Sequence, residues 1–295
     1  MNVHPFWKKR LYRIVDQIFF VLCTFQNRRP LAKLDSHLTI KHLPLPPSTP
    51  AQQSPSRLLS NLFWEHLPWA TLQKNLGVIR ILDTGCGSGH YEQVFRTASK
   101  NRLRSYHGLD VYRHPDWDLD TCPTQRTFSL YSGRDITPHI PEHTNMFVSQ
   151  SAIEHIRNDK RYFKSIKQFI DAHPNRPFIQ VHLFPSSACM KLYGRHGYRQ
   201  YTPRTVSKIT RLFPDAQCFL LGLGGPSCNR VHMNFITKPI ALDGIDKRKT
   251  TPKDYQKAVQ QAILEDNVHE TFPTDPSFWA LIICSHWSEP FALCT

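Results

Sequence analysis

No stretch of this 295-residue chain reaches the roughly 18 uninterrupted apolar residues that a membrane-spanning helix needs. Its eight cysteines, at positions 23, 86, 122, 189, 218, 228, 284 and 294, never form a CxxC pair. Neither a zinc knuckle nor a disulfide scaffold is therefore expected, and reduced thiols in a cytoplasmic protein are the plain reading. The first residues lack an apolar core followed by a small-residue cleavage site, so no cleavable signal peptide is expected. No internal repeat is present, and no glycine-rich turn ends in the GK[ST] of a P-loop. Acidic residues are scarce: 23 Asp and Glu against 37 Lys and Arg leave a net charge of +14. That excess favours an anionic partner, whether nucleic acid, anionic lipid or a phosphorylated substrate. The length suits one sizeable core with appendages, hence one α/β domain with extensions.

What the chain does have is the stretch Val78 to Phe95, VIRILDTGCGSGHYEQVF. Val78 to Leu82 read as a buried parallel strand closed by Asp83, and a glycine-rich turn leads into a helix with Tyr91, Val94 and Phe95 on one face. A dinucleotide fingerprint would need a third glycine where His90 stands. Further on, SYHGLD (105–110) reads as a second strand. It places Asp110 at a strand end, 27 residues past Asp83, where an acidic side chain in a doubly wound sheet accepts both ribose hydroxyls.

The run LDTGCGSG (82–89) resembles motif I of the class I S-adenosylmethionine (SAM) dependent methyltransferases. The resemblance implies a Rossmann-like α/β fold whose seven-stranded sheet is mostly parallel with an antiparallel edge strand, here preceded by an N-terminal helical extension. It implies SAM as cofactor, with Asp83, Gly85, Gly87 and Gly89 at the turn and Asp110 on the ribose. Asp135 and Ile136, in FSLYSGRDIT (128–137), resemble the family's third-strand motif, in which the Asp reaches the adenine amino group. Gln150, at the end of strand MFVSQ, joins the cofactor-binding set. Trp117 either covers the adenine or plugs its loop, and the alternating Asp116, Asp118 and Asp120 lack the glycine turn and distal Glu of a calcium loop. The segment SAIEHI (151–156) resembles the post-strand segment of small-molecule methyltransferases and is expected to open a helix through residue 170. The NPPY or DPPY tetrad of enzymes that methylate nucleic-acid amino groups is absent. The aspartates that hold magnesium in catechol-type enzymes have no match either, so no metal is expected.

The fifth strand, PFIQVHLFPSS (177–187), is expected to present His182 to the transferred methyl group, because ligands of open α/β sheets bind beyond the carboxyl ends of the strands. The following YGRHGYRQYTP (193–203) is similar to bacterial methyltransferases of envelope polysaccharide pathways. Its Arg195, Tyr198, Arg199 and Tyr201 are the expected acceptor-binding residues, suited to a hydroxylated or phosphorylated acceptor and equally to RNA bases. A hydroxyl acceptor needs a proton acceptor, and His182, His155 and His196 are the candidates.

The expected organisation is a basic amphipathic segment over 1–41, a proline-rich linker over 42–55, and a SAM-binding domain over 56–295 with an insertion at about 226–276. In the first segment, Leu11, Ile14, Val15, Ile18, Phe19 and Leu22 form one helical stripe with basic residues at its ends. This suits either an anionic membrane surface or packing on the domain. The leading functional reading is O-methylation of a sugar or other hydroxylated small molecule, free or lipid-linked, on the inner face of a membrane. RNA methylation and a noncatalytic SAM-fold binding protein are the alternatives.

Overall fold

The computed structural model describes residues 6–27, 38–46, 52–119, 125–133, 135–194, 196–268 and 276–292. In chain order the strands are β1 (Leu38–His42), β2 (Ile79–Thr84), β3 (Leu103–Asp110), β4 (Gln125–Leu130), β5 (Met146–Gln150), β6 (Phe178–Pro185), β7 (Gln217–Leu223) and β8 (Phe278–Ser285). They form one sheet in the order β1-β7-β8-β6-β5-β2-β3-β4. All neighbours are parallel except β8, which runs antiparallel to both β6 and β7. Starting at β2, the chain steps outward through β3 to β4 and then returns to the other side of β2 with β5. That reversal opens a crevice beyond the carboxyl ends of β2 and β5, the usual ligand position in a doubly wound sheet.

The helices are α1 (Phe6–Asn27), α2 (Pro55–His66), α3 (Trp69–Leu76), α4 (His90–Ala98), α5 (Asp159–Asp171), α6 (Cys189–Tyr193), α7 (Pro203–Thr210), α8 (Pro226–His232), α9 (Lys238–Asp243), α10 (Lys247–Thr250) and α11 (Pro252–Asn267). Alternating strand residues feed two cores, one per sheet face. Ile81, Val148, Val181 and Ile282 face α2, α3, α4 and α11. Leu82, Phe147 and Leu281 face α5 and α7. Every residue of β5, β6 and β8 is buried, which is why these strands read as near-continuous apolar runs.

The sheet differs in one detail from the sequence expectation. The sheet carries an eighth strand, β1, laid parallel along β7, so the β7–β8 pair lies one strand inside the edge. Helix α2 is capped by Ser54, whose Oγ accepts from Arg57 N at 3.4 Å, with Pro55 in the first turn. The described part of the inserted region, 226–268, is largely helical, and Tyr255, Val259, Ala262 and Ile263 of α11 enter the core and brace the sheet. Leu45, within the expected linker, is pinned to α11 through the Asn267 side chain. Among the described residues no disulfide links the six cysteines, and no helix is long and apolar enough to cross a membrane.

Helix α1 packs on the domain along one edge only. Phe20 is buried, Thr24 Oγ1 donates to Gln200 Oε1 at 3.3 Å, and the Phe19 ring takes the guanidinium groups of Arg157 and Arg199 on its faces. Ile18, Val21, Leu22 and Phe25 remain more than half exposed.

Candidate functional site

A cavity of about 630 Å³ opens at the β2–β5 crevice, walled by Thr84, Gly85, Asp110, Val111, Tyr131, Ser132, Gly133, Ser151, Ala152, His155, Ile156, Arg157 and Tyr198. Gly85 adopts φ +78°, and a Cβ there would lie 2.3 Å from Ala152 Cβ, so only glycine lets the turn after β2 approach the turn after β5. The amides of Gly85 and Cys86 both donate to Leu109 O, at 2.7 and 3.0 Å, tying the turn to the end of β3. There the Asp110 carboxylate accepts from Gly87 N at 2.8 Å and from Val111 N at 2.7 Å. Asp110 thus holds the glycine turn and borders the cavity.

The other residues expected around a cofactor divide. Asp83 lies beneath the turn, 1% exposed, and accepts from Tyr106 Oη at 2.6 Å. Burial pushes its carboxyl up to about 7, against the lowering effect of the Tyr106 hydrogen bond and with the Asp110 charge adding to the rise. Gly87 has open space around it, whereas Gly89 makes room for the Phe128 ring, 2.7 Å from where a Cβ would sit. Trp117 stacks on Phe128 at 5.0 Å and donates from Nε1 to Gly87 O at 2.8 Å, so it plugs the back of the glycine turn. Asp135 caps the following turn through Thr137 N and receives Ser165 Oγ, and the bonds from Thr137 hold its carboxyl below the usual range. Ile136 is fully buried. Neither walls the cavity; Tyr131, Ser132 and Gly133 do, because β4 ends at Leu130 and the chain meets the crevice directly after it.

A second, polar cavity of about 290 Å³ adjoins the first, and Ser151 borders both. Its walls include Ser54, Ser56, Arg57, Ser60, Gln150, His196 and His232. Gln150 belongs to this cavity: its Oε1 accepts from Trp64 Nε1 at 3.0 Å and its Nε2 donates to Ser60 Oγ at 3.2 Å. Ser151 holds φ +52°, a left-handed conformation rare outside glycine and one that recurs at functional sites.

That bend keeps SAIEHI out of the helix predicted for it. Ile153–His155 form a single 3₁₀ turn, and α5 begins only at Asp159, capped by Asn158 Oδ1 on Arg161 N at 3.1 Å. The turn brings Glu154 and His155 to the wall between the cavities, where His196 meets them. Gly197 makes this contact possible: at φ +65°, a Cβ would fall 2.4 Å from Glu154 O. Tyr198 N donates to the same carbonyl at 2.7 Å. The Nε2 atoms of His155 and His196 are 3.2 Å apart, and His196 Nε2 lies 3.5 Å from Glu154 Oε1. Burial lowers the pKa of His155, opposed by the Glu154 charge and assisted by His196. One metal-ligating atom from each of these three residues lies within 4.8 Å of the others.

Several expectations require correction. His182 does not face the crevice. β6 continues three residues past it to Pro185, which leaves the ring 0% exposed, bonded to Ser149 Oγ at 2.8 Å and packed on Tyr162 and Phe163. Arg199 and Tyr201 wall neither of these two cavities; Arg199 borders a separate one of about 510 Å³, with Phe19, Arg157 and Lys208. Arg199 is 5% exposed, pairs with Asp159 at 2.5 Å, and donates to the carbonyls of Ile156 and Arg157. Tyr201 is fully buried and donates to Asp159 Oδ2 at 2.8 Å. Both clamp the turn that carries His155. Tyr198 does border the larger cavity. Arg195 lies outside the described residues. Sequence reasoning missed Tyr131, Ser132, Ser151 and Arg57; only Ser151, directly after a buried strand, carried a positional signal.

No protein-family model matches the chain, and no curated protein matches it. Among solved structures, the chain is similar to the plantazolicin methyltransferase BamL in complex with a triazolic desmethylPZN analog and SAH. That likeness has 12% identity and a TM-score of 0.47, covering 78% of this chain and 85% of that one. It is similar to a SAM dependent methyltransferase from Archaeoglobus fulgidus at 14% identity and a TM-score of 0.45, covering 79% and 96%. It is also similar to phosphoethanolamine N-methyltransferase 2 of Haemonchus contortus in complex with S-adenosyl-L-methionine, at 13% identity and a TM-score of 0.39, covering 78% and 57%.

Proposed function

We propose that the chain is a SAM-dependent methyltransferase that acts on the hydroxyl of a sugar or other small polyol. The observation that carries this reading is the pair of adjoining cavities with the His155–His196 contact at the wall between them. The larger cavity, at about 630 Å³, is within the range that holds a drug-sized ligand. Its walls fit the donor: bare backbone at Gly85, a carboxylate at Asp110 where ribose hydroxyls donate, and the Tyr131 ring and Val111 for an adenine. SAM, when bound, supplies an electrophilic methyl carbon on a sulfonium.

The chain's own residues then have three tasks. The two cavities fix donor and acceptor in line, an orientation effect that supplies about 7–11 kcal/mol in well-aligned reactions. Tyr198 and Ile156 wall the larger cavity against water. The histidine pair marks where the acceptor hydroxyl gives up its proton, a contribution of about 10²- to 10⁴-fold. The hydroxyl side chains of Ser54, Ser56 and Ser60, with the Arg57 guanidinium, give the acceptor cavity hydrogen-bond partners suited to a polyol.

Calorimetry tests the donor site. Asp110→Ala is expected to weaken SAM binding by at least about tenfold, the cost of one good hydrogen-bonded contact, with the circular dichroism spectrum unchanged. Unaltered affinity would remove the ribose assignment. A lipid-linked acceptor is supported by the exposed apolar residues of α1, which would keep the enzyme at an anionic membrane surface.

A further inference from the structure

Glu154 carries a buried carboxylate that accepts no hydrogen bond from the described residues, with His196 Nε2 3.5 Å from its Oε1. Its side chain is 2% exposed. A carboxylate taken out of water without donors is strongly disfavoured. A direct hydrogen bond between the imidazoles accounts for the approach of His155 to His196, and His196 Nε2, 3.5 Å from Glu154 Oε1, still leaves the carboxylate without a hydrogen bond from the described residues. A cation bonded to all three answers it.

We propose that Glu154, His155 and His196 form a binding site for a divalent first-row transition-metal ion, which holds the acceptor oxygen at the wall between the two cavities. The spacing agrees with this. Two ligands of a tetrahedral zinc ion at about 2.0–2.1 Å stand about 3.3–3.4 Å apart; His196 Nε2 is 3.2 Å from His155 Nε2 and 3.5 Å from Glu154 Oε1, and the third pair lies within 4.8 Å. Two imidazoles and one carboxylate are the donor set of many catalytic zinc and iron sites, which keep a position open for a substrate or water oxygen. Magnesium, which favours an all-oxygen shell, is a poorer match. The support is also in place: Gly197 and the Tyr198 amide fix the His196 loop on Glu154 O, and Arg199 ties down the turn bearing His155. His155 borders the larger cavity and His196 the polar one, so an oxygen on the open position lies between donor and acceptor sites. There the cation would lower the pKa of the hydroxyl so that its proton passes to solvent water, and the oxygen would form its bond to the methyl carbon as the S–CH3 bond of SAM breaks and S-adenosylhomocysteine leaves. The cation's role rests on the methyl-transfer reading; the site does not.

Full-length protein stripped with a chelator and titrated with Co²⁺ tests the site, because ligand-field absorption reports coordination directly. One equivalent of Co²⁺ is expected, displaced by Zn²⁺. Glu154→Gln and His196→Asn are each expected to weaken it by at least about tenfold, while SAM binding by calorimetry is unchanged. Co²⁺ bands that are absent, or that persist at wild-type affinity in the variants, overturn the proposal. SAM binding without a Co²⁺ site removes the metal alone, whereas a Co²⁺ site without SAM binding removes the donor assignment. If Glu154→Gln fails to fold, His196→Asn, at a side chain 37% exposed, decides the matter.

Discussion

A histidine sealed inside a parallel sheet has to fold as the neutral ring. His182 is such a residue: its Nδ1 shares a hydrogen with Ser149 Oγ, Nε2 has no partner among the described residues, and burial pushes its pKa down to about 3. The ring takes up a proton near pH 6.5 in the unfolded chain but only near pH 3 when folded. Between those values the unfolded state binds more protons, so the stability present above about pH 6.5 is lost as the pH falls through that window. His182 therefore contributes a drop in melting temperature below pH 6.5, against which Asp83, whose folded carboxyl keeps its proton up to about pH 7, works in the opposite direction. His182→Asn, which keeps a polar atom at the Nδ1 position, is expected to flatten that drop in thermal melts. An unchanged slope would place the acid sensitivity at another group. The same burial explains why this histidine could not be told from a site histidine by its letters. Three more strand residues, Leu183 to Pro185, decide which side of the crevice rim it falls on.

At the level of elements, the strand-turn-helix around the glycines was legible because it is local. An apolar run, three glycines and an amphipathic helix follow one another within eighteen residues. Elements set by capping or by distant pairing were not. The apolar residues Ile153, Ile156 and Phe163 suggest one helix, but the left-handed Ser151 and the Asn158 cap break it. LTIKH becomes a strand only because β7 offers it an edge. Helix α1 packs on the domain through Phe20, next to the expected stripe, and leaves the stripe residues Ile18 and Leu22 facing outward at 55% and 57% exposure. An amphipathic helix with basic flanks enters an anionic lipid surface through such residues. The protein is expected to sediment with vesicles containing anionic lipid, and Ile18→Asp combined with Leu22→Asp to abolish this without altering SAM binding. Equal sedimentation of both proteins would remove the membrane contact.

On the scale of the whole molecule, the net charge of +14 makes weak, salt-sensitive adhesion to nucleic acid expected whatever the substrate. Adhesion and catalysis separate when tritiated methyl groups from SAM are traced in fractionated cell extract. The label is expected in hydroxylated small molecules or glycans, and to stay out of RNA even at low salt; labelled RNA as the main product would overturn the acceptor class. The assembled site was the least legible part of the chain. Asp110 could be placed because its spacing from Asp83 is a property of one βαβ unit. His196 stands 41 residues from His155, and nothing but the folded loop at Gly197 shows that the two rings touch.

The position of β8 bears on how the chain is made. β6 and β7 are neighbours in sequence yet never pair with each other; the last strand fills the gap between them. During synthesis, the fully buried β6 and the largely buried β7 therefore wait with naked edges until residues 278–285 leave the ribosome, and such edges invite pairing with other chains. A nascent polypeptide stalled before that point would hold two half-sheets, and the cell would have to keep them apart with chaperones.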